Sequence, residues 1–405
     1  MTKACVFCGA KPQGKTKEHI IPQWLIKYTG DPKRLIQLGE RKIAFDQMTF
    51  PACDKCNSQY SDLEEKAKIA LIKIFNNQDL DEDNIIVLLD WFDKVRIGLW
   101  LLCLKMANFF TELTEDIEPK FYISTRIRKS DRLLKITKIN NNRKGINFVG
   151  TTSPHFLNTP SCFGLIINNY QFTNISMQFL FNQNLGFPNV KDLSFDENFN
   201  VVASKISKAT GRMKSPLISN ELENKGVTIF QPIIPATLYK YMSKDQQGKM
   251  LMKPYEKGVG KLIIFNKTYS FFKKRVLELH VDKASITPYD DMVVFNNQIY
   301  KMQEKILTQT IESLKKSRGL PSETKQYMEA FLTATDITQK QLNEAISKET
   351  LNSSVNDVLN NFIENEVSTD TARDHENLKS LAEYVVRKYR GEDVSLGFEI
   401  QKDKI

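Results

Sequence analysis

The residues best suited to chemistry crowd into the first stretch of the chain, as two pairs, Cys5-Val-Phe-Cys8 and Cys53-Asp-Lys-Cys56. A two-residue spacer lets one tight turn aim two thiolates at one tetrahedral metal ion. Gly9 and Asn57 follow the pairs as turn-friendly residues, and Lys3, Lys11 and Lys55 lie close enough in sequence to favour thiolates. The pattern predicts a structural zinc site held by Cys5, Cys8, Cys53 and Cys56; four buried thiols without a shared ion are the plainer alternative. Between the pairs stands Lys17-Glu18-His19-Ile20-Ile21-Pro22-Gln23-Trp24-Leu25. In an extended segment Glu18 and His19 point to opposite sides, so one can hold a metal while the other faces an attacking water. Hydrolysis of a phosphodiester needs both: a divalent ion to stabilise charge on the phosphate and a base to activate water. A neutral imidazole suits the second task near pH 7. Asn57, directly after the last cysteine, offers a carboxamide oxygen as a further ligand. An exposed polar dipeptide in a zinc-ribbon binding module is the bland alternative.

The order Cys-x-x-Cys, then Glu-His-Ile-Ile-Pro, then Cys-x-x-Cys-Asn resembles the zinc-bearing form of the HNH, or ββα-metal, endonuclease family over roughly residues 3–65. The resemblance implies that Glu18 and Asn57 hold a catalytic Mg2+ or Mn2+ and that His19 is the general base. It also implies that the four cysteines hold a structural Zn2+, and that Pro22 and Trp24 support the site from behind. The sequence departs from the family pattern in three places. Glu18 stands where many members carry Asp, and Gln47-Met48 stands where many carry Asn-Leu. No histidine follows Asn57 until His155, so a third ligand has to come from Ser61, Asp62, Glu64, Glu65 or water. The implied activity is DNA hydrolysis, in the setting of a bacterial anti-phage or restriction effector. A catalytically silent zinc-knuckle nucleic-acid-binding protein and an RNA-cleaving toxin-like effector are the alternatives.

Such a site needs elements to position it, and the rest of the sequence predicts an α+β chain. The N-terminal ββα-metal nuclease module is followed by a helical segment, a β-rich central region and a helical C-terminal region. From Leu63 to about Phe110 the pattern is helical, with Leu63, Ala67, Ile69, Ala70, Ile72 and Ile74 as an apolar face and Asp83 or Asn84 capping a second helix. That helix carries Trp91, Phe92, Val95, Leu99 and Trp100, an aromatic stripe that reads as core. Cys103 and Cys162 read as small core residues. Phe121–Thr125, Leu133–Thr137, Phe163–Asn168 and Ile175–Phe181 read as strands. A helix over 297–318 stops at Gly319, and further helices follow over 323–366. The expected division is 1–65 for the nuclease module, 66–290 for a mixed accessory domain that recognises nucleic acid or a signal, and 291–405 for the helical end.

The chain has 405 residues, too many for one small core, and is 41% hydrophobic and 26% charged, which argues against wholesale disorder. A net charge of +9 and a pI near 9.0 fit a polyanionic partner, DNA first and RNA second. Nine basic residues fall within 120–144, where Asp131 is the sole acid. Arg126, Arg128 and Lys129, together with Lys17, are the candidate phosphate contacts; a solvated strand face is the alternative. Smaller clusters stand at Lys205, Lys208, Arg212 and Lys214 and at Lys273-Lys274-Arg275. Residues 345–405 carry a net charge of −4, which suits a regulatory protein partner or self-association. The N-terminus lacks an apolar leader, and Asp90, Asp93, Lys94, Arg96 and Lys105 interrupt the apolar stretch from Ile85 to Phe110. The expectation is therefore a cytoplasmic protein without membrane spans. His155, His280 and His375 stand alone and read as structural or surface residues.

Overall fold

The computed structural model describes residues 4–12, 16–30, 32–38, 41–106, 122–125, 127, 130–138, 144–177, 190–195, 201–206, 227–231, 233, 253–255, 258–260, 263–265, 288–316 and 320–365. The chain forms two compact units, 1–342 and 343–405. In the second, the described residues are helical.

The first unit opens with β1 (Lys17–His19), α1 (Gln23–Tyr28), β2 (Leu35–Leu38), β3 (Arg41–Ala44), a 3-10 turn (Phe45–Gln47), β4 (Thr49–Pro51) and α2 (Asp54–Phe75). β2 and β3 form a hairpin, while β1 pairs antiparallel with β4, setting Glu18 opposite Phe50 and His19 opposite Thr49. The order is thus strand, short helix, paired strands, 3-10 turn, strand and long helix, with the cysteine pairs just before β1 and across the start of α2. Ala67, Ala70, Leu71 and Ile74 give α2 its buried stripe at helical spacing. Ile69 lies off that stripe and is 50% exposed, contrary to the expectation that placed it on the apolar face. The helix ends in a Schellman motif. Asn77 takes φ 52°, and the N–H groups of Asn77 and Gln78 donate to the carbonyls of Ile74 and Lys73.

α3 (Glu82–Met106) starts at Asp81, whose carboxylate accepts the Asn84 N–H at 2.7 Å. The cap is therefore Asp81, not Asp83 or Asn84, and places Asn84 three positions into the helix. From Leu88 to Leu104 every residue of α3 is buried. A helix apolar nearly all round belongs inside a core. Among the described residues, no helix is long and apolar enough to cross a membrane.

α3 lies on an antiparallel sheet whose described strands run in the order β14-β11-β5-β8-β7-β6. These are β5 (Asp131–Lys138), β6 (Ile146–Val149), β7 (Cys162–Ile167), β8 (Tyr170–Met177), β11 (Val227–Gln231) and β14 (Ile263–Phe265); α4 (Pro154–Asn158) joins β6 to β7. Side chains alternate between two faces. Leu134, Ile136, Phe163, Leu165, Ile167 and Phe172 pack with α3. Leu133, Cys162, Ile166, Ile175 and Phe230 pack with Phe295, Ile299, Met302 and Ile306 of α5 (Pro288–Lys316). A strand covered on both faces is apolar throughout, as Cys162–Ile167 is. Gly164 lets α5 approach: a Cβ there would sit 2.8 Å from the Phe295 ring. Short hairpins β9–β10 (Val190–Phe195, Val201–Ile206) and β12–β13 (Lys253–Tyr255, Gly258–Gly260) and the long α6 (Ser322–Asn365) complete the described elements.

Two strand expectations shift. Ile123–Thr125 is a 3-10 turn, because the Ile123 and Ser124 N–H groups donate to the carbonyls of Val6 and Phe7 and brace the first cysteine turn. β8 begins at Tyr170, ahead of the expected Ile175, and ends at Met177, with residues 178–181 outside the described set. The core containing Cys5, Phe7, Ile20 and Ile21 is continuous with that of α3 and the sheet as far as Ile229.

Candidate functional site

The four expected cysteines converge. The Sγ atoms of Cys5, Cys8, Cys53 and Cys56 lie within 4.8 Å of one another, with Cys8 and Cys53 3.8 Å apart. A tetrahedral zinc with Zn–S bonds of about 2.3 Å sets its sulfurs about 3.8 Å apart, so the cluster can hold a structural zinc. Local structure makes the cluster. The first turn closes through Gly9 N–H to the Cys5 carbonyl and Cys5 N–H to the Ala10 carbonyl, with Gly9 at φ 78°. The second pair opens α2, where Cys53 precedes the first turn and its thiol is drawn down to about 7, chiefly by the Cys56 backbone N–H. Phe7 stacks on Tyr60 at 3.8 Å and fixes the two halves together.

β1 and β4 carry the rest. Val6 N–H donates to the Pro51 carbonyl and Ala52 N–H to the Thr16 carbonyl, while the Thr16 hydroxyl meets Asp54 at 2.7 Å. These bonds lock the start of α2 beside β1. Alternation along β1 leaves Lys17 exposed, Glu18 buried at 7% exposure and His19 half-buried. His19 Nε2 lies 3.2 Å from the Gln23 amide nitrogen. Burial is the largest influence on His19 and lowers its pKa, partly opposed by Glu18 and the Asp46 carbonyl. The ring is neutral at pH 7.

Behind Glu18 lies a buried ionic cluster. Lys94 of α3 is 1% exposed, and its Nζ is 2.5 Å from Glu18 Oε1. The same ammonium pairs with Glu64 of α2 and donates to the His19 carbonyl at 3.2 Å. Burial raises the Glu64 carboxyl to about 7, against the pull of Lys94. Asn57 stands in the first turn of α2 and Glu64 seven residues on, two helical turns along one face. Of the four candidates for a further oxygen, Glu64 is the one whose contacts reach Glu18. The lysine is a residue that sequence reading missed. It counted only as one of the charges interrupting an apolar stretch, yet a charge at a core position of a buried helix must have a partner.

The basic candidates fare differently. Arg126, Arg128 and Lys129 lie outside the described residues. Their neighbours Arg132 and Lys135 are buried and do not form an exposed strand face. Arg132 holds Asp90, Asp93 and Gln231 beneath α3, because β5 is covered there on both faces. Of the second cluster, Lys205 falls in β10, and Lys208, Arg212 and Lys214 lie outside the described residues, as do Lys273, Lys274 and Arg275. His155 is fully buried, with Nε2 2.8 Å from the Ser161 hydroxyl. Cys103 and Cys162 are buried core residues, as expected. No family model, curated protein or solved structure matches this chain.

Proposed function

We propose that the chain is a metal-dependent HNH-type endonuclease that hydrolyses phosphodiester bonds in DNA. The observation that carries this reading is the imidazole of His19. It is half-buried, one residue from the buried Glu18 carboxylate and beside the helix that bears Asn57, and burial holds its pKa below the usual imidazole value.

The donor set suits a hard divalent ion: carboxylates of Glu18 and Glu64 and the amide oxygen of Asn57 are all oxygen ligands. Two carboxylates, Glu18 and Glu64, share one ammonium, which leaves room for a cation's charge. A bound Mg2+ or Mn2+ would supply charge stabilisation at the phosphate and the departing oxygen. The protein's own part is the remainder. The His19 imidazole takes the proton of the attacking water. The Gln23 amide gives up its bond to Nε2 as water enters. The zinc cluster keeps β1 and α2 in register.

Purified protein is incubated with supercoiled plasmid, single-stranded DNA and RNA, with Mg2+, Mn2+ or EDTA, beside His19→Ala. Cleavage by the wild type that both EDTA and His19→Ala abolish is the expected result. No cleavage of any substrate with either metal overturns the reading.

A further inference from the structure

We propose that Lys94 is a positioning residue of this site: its ammonium fixes the Glu18 carboxylate and, through the His19 carbonyl, the strand that carries the base. The inference deepens the nuclease reading and rests on it. Three oxygens surround Nζ: Glu18 Oε1 at 2.5 Å, a Glu64 oxygen and the His19 carbonyl at 3.2 Å. They match in number the three donors of an ammonium group. The acceptors belong to β1 and α2, whereas Lys94 belongs to α3, so one side chain ties the two site-bearing elements to the core helix.

Filling space does not require a lysine here. α3 is otherwise lined with Leu88, Leu89, Trp91, Phe92 and Val95, and an apolar side chain would pack there without the cost of burying a charge. The cluster is not balanced either. Elsewhere on α3, Asp90 and Asp93 meet two guanidinium groups, Arg96 and Arg132. At Lys94, two carboxylates meet one ammonium. The excess carboxylate is what a divalent ion requires, and the ammonium decides where Glu18 stands when that ion arrives. Partners that orient a ligating carboxylate typically govern metal affinity and activity about 10–100-fold.

The test uses the full chain carrying Lys94→Met or Lys94→Arg. Zinc content and melting temperature report folding, and Mn2+ binding is read from free Mn2+ by electron paramagnetic resonance without nucleic acid. Lys94→Met should weaken Mn2+ binding at least tenfold and lower kcat for plasmid cleavage by about 10–100-fold, with KM for DNA within twofold. Lys94→Arg keeps the charge, but its planar fork cannot bring three donors to one point. It should bind Mn2+ within threefold of wild type while kcat falls at least threefold. Wild-type Mn2+ affinity and kcat in Lys94→Met overturn the proposal. Should Lys94→Met lose its zinc and unfold, Lys94→Arg decides, and wild-type kcat there overturns it. If the wild type binds Mn2+ but cuts nothing, the nuclease reading fails by itself, and the Mn2+ affinities of the variants still test the lysine.

Discussion

The two ionic clusters on α3 are built from the same residue types yet behave as different kinds of object. On the sheet side, Arg132 reaches Asp90, Asp93 and Gln231. Arg96 reaches Asp93, Asn174 and the Pro160 carbonyl. All four charges are buried, and among the described residues two acids meet two bases. On the other side, the single ammonium of Lys94 faces two carboxyl groups, Glu18 and Glu64, at the edge where His19 is half-buried. A closed, neutral network holds a core together and asks for nothing further. An open, acid-rich one is where we propose that a divalent cation binds. Burial of charge alone does not mark function; imbalance and access do.

The largest expected effect concerns the metal that frames the open cluster. Stripping zinc from isolated zinc modules removes binding energy on the order of 10 kcal/mol. Cys53→Ser with Cys56→Ser, or a strong chelator, should therefore abolish cooperative folding around β1, β4 and α2. Zinc content by mass spectrometry and the loss of near-ultraviolet circular dichroism are the readouts; a protein that purifies without zinc and melts unchanged would falsify the metal assignment. Next comes Arg132→Met, which leaves Asp90 and Asp93 buried with less compensation and should cost about 3–5 kcal/mol by urea unfolding. Lys94→Met should cost less than half as much, because Glu64 stands near the surface and can take a proton. Equal costs would erase the contrast.

A smaller effect belongs to His155. Full burial pushes its imidazole down to about 3, so the folded protein holds it neutral while the unfolded chain protonates it below the ordinary value of 6.5. A group with its folded pKa depressed stabilises above the unfolded pKa and loses that contribution as pH falls. Between pH 7 and pH 5 the loss should be about 2 kcal/mol, and His155→Gln should remove that slope from urea titrations at the two pH values. The smallest change in stability is expected at the open site itself. His19→Ala should shift unfolding by about 0.5 kcal/mol or less, while cleavage disappears. Because burial lowers the His19 pKa, wild-type cleavage should hold its rate as pH drops from 7.5 and decline only below the usual imidazole range. A decline beginning at pH 7 would place the essential base elsewhere.

How much of this was legible in the sequence depended on how local each signal was. The cysteine pairs and the Glu18-His19 step declare themselves by spacing, and the helices do so by periodicity. Glu64 stood in a list of four candidates because one helix presents several acids to choose from. Lys94 and Arg132 were visible only as charges, since sequence does not say toward which neighbour a side chain turns. A sharper signal was present: four charges at Asp90, Asp93, Lys94 and Arg96 within an otherwise apolar helix can be buried only in pairs. Residues 123–125 misled because a β-prone stretch was recruited to brace a distant turn, and tertiary contacts outweigh a propensity scale spanning about 1 kcal/mol.

The brace has a consequence for how this molecule can be cut. The ring of Tyr122 comes so close to Gly9 that a Cβ there would lie 2.2 Å from it, and the carbonyls of Val6 and Phe7 are held by Ile123 and Ser124. A fragment ending after α2 would carry Cys5, Cys8, Cys53 and Cys56 together with Glu18, His19, Asn57 and Glu64. It would still lack the lysine between the carboxylates and the backstop of its first metal-binding turn. The site is thus written in two instalments, residues 5–64 and 94–124, and transplanting the first alone would move the letters of the motif without its grammar.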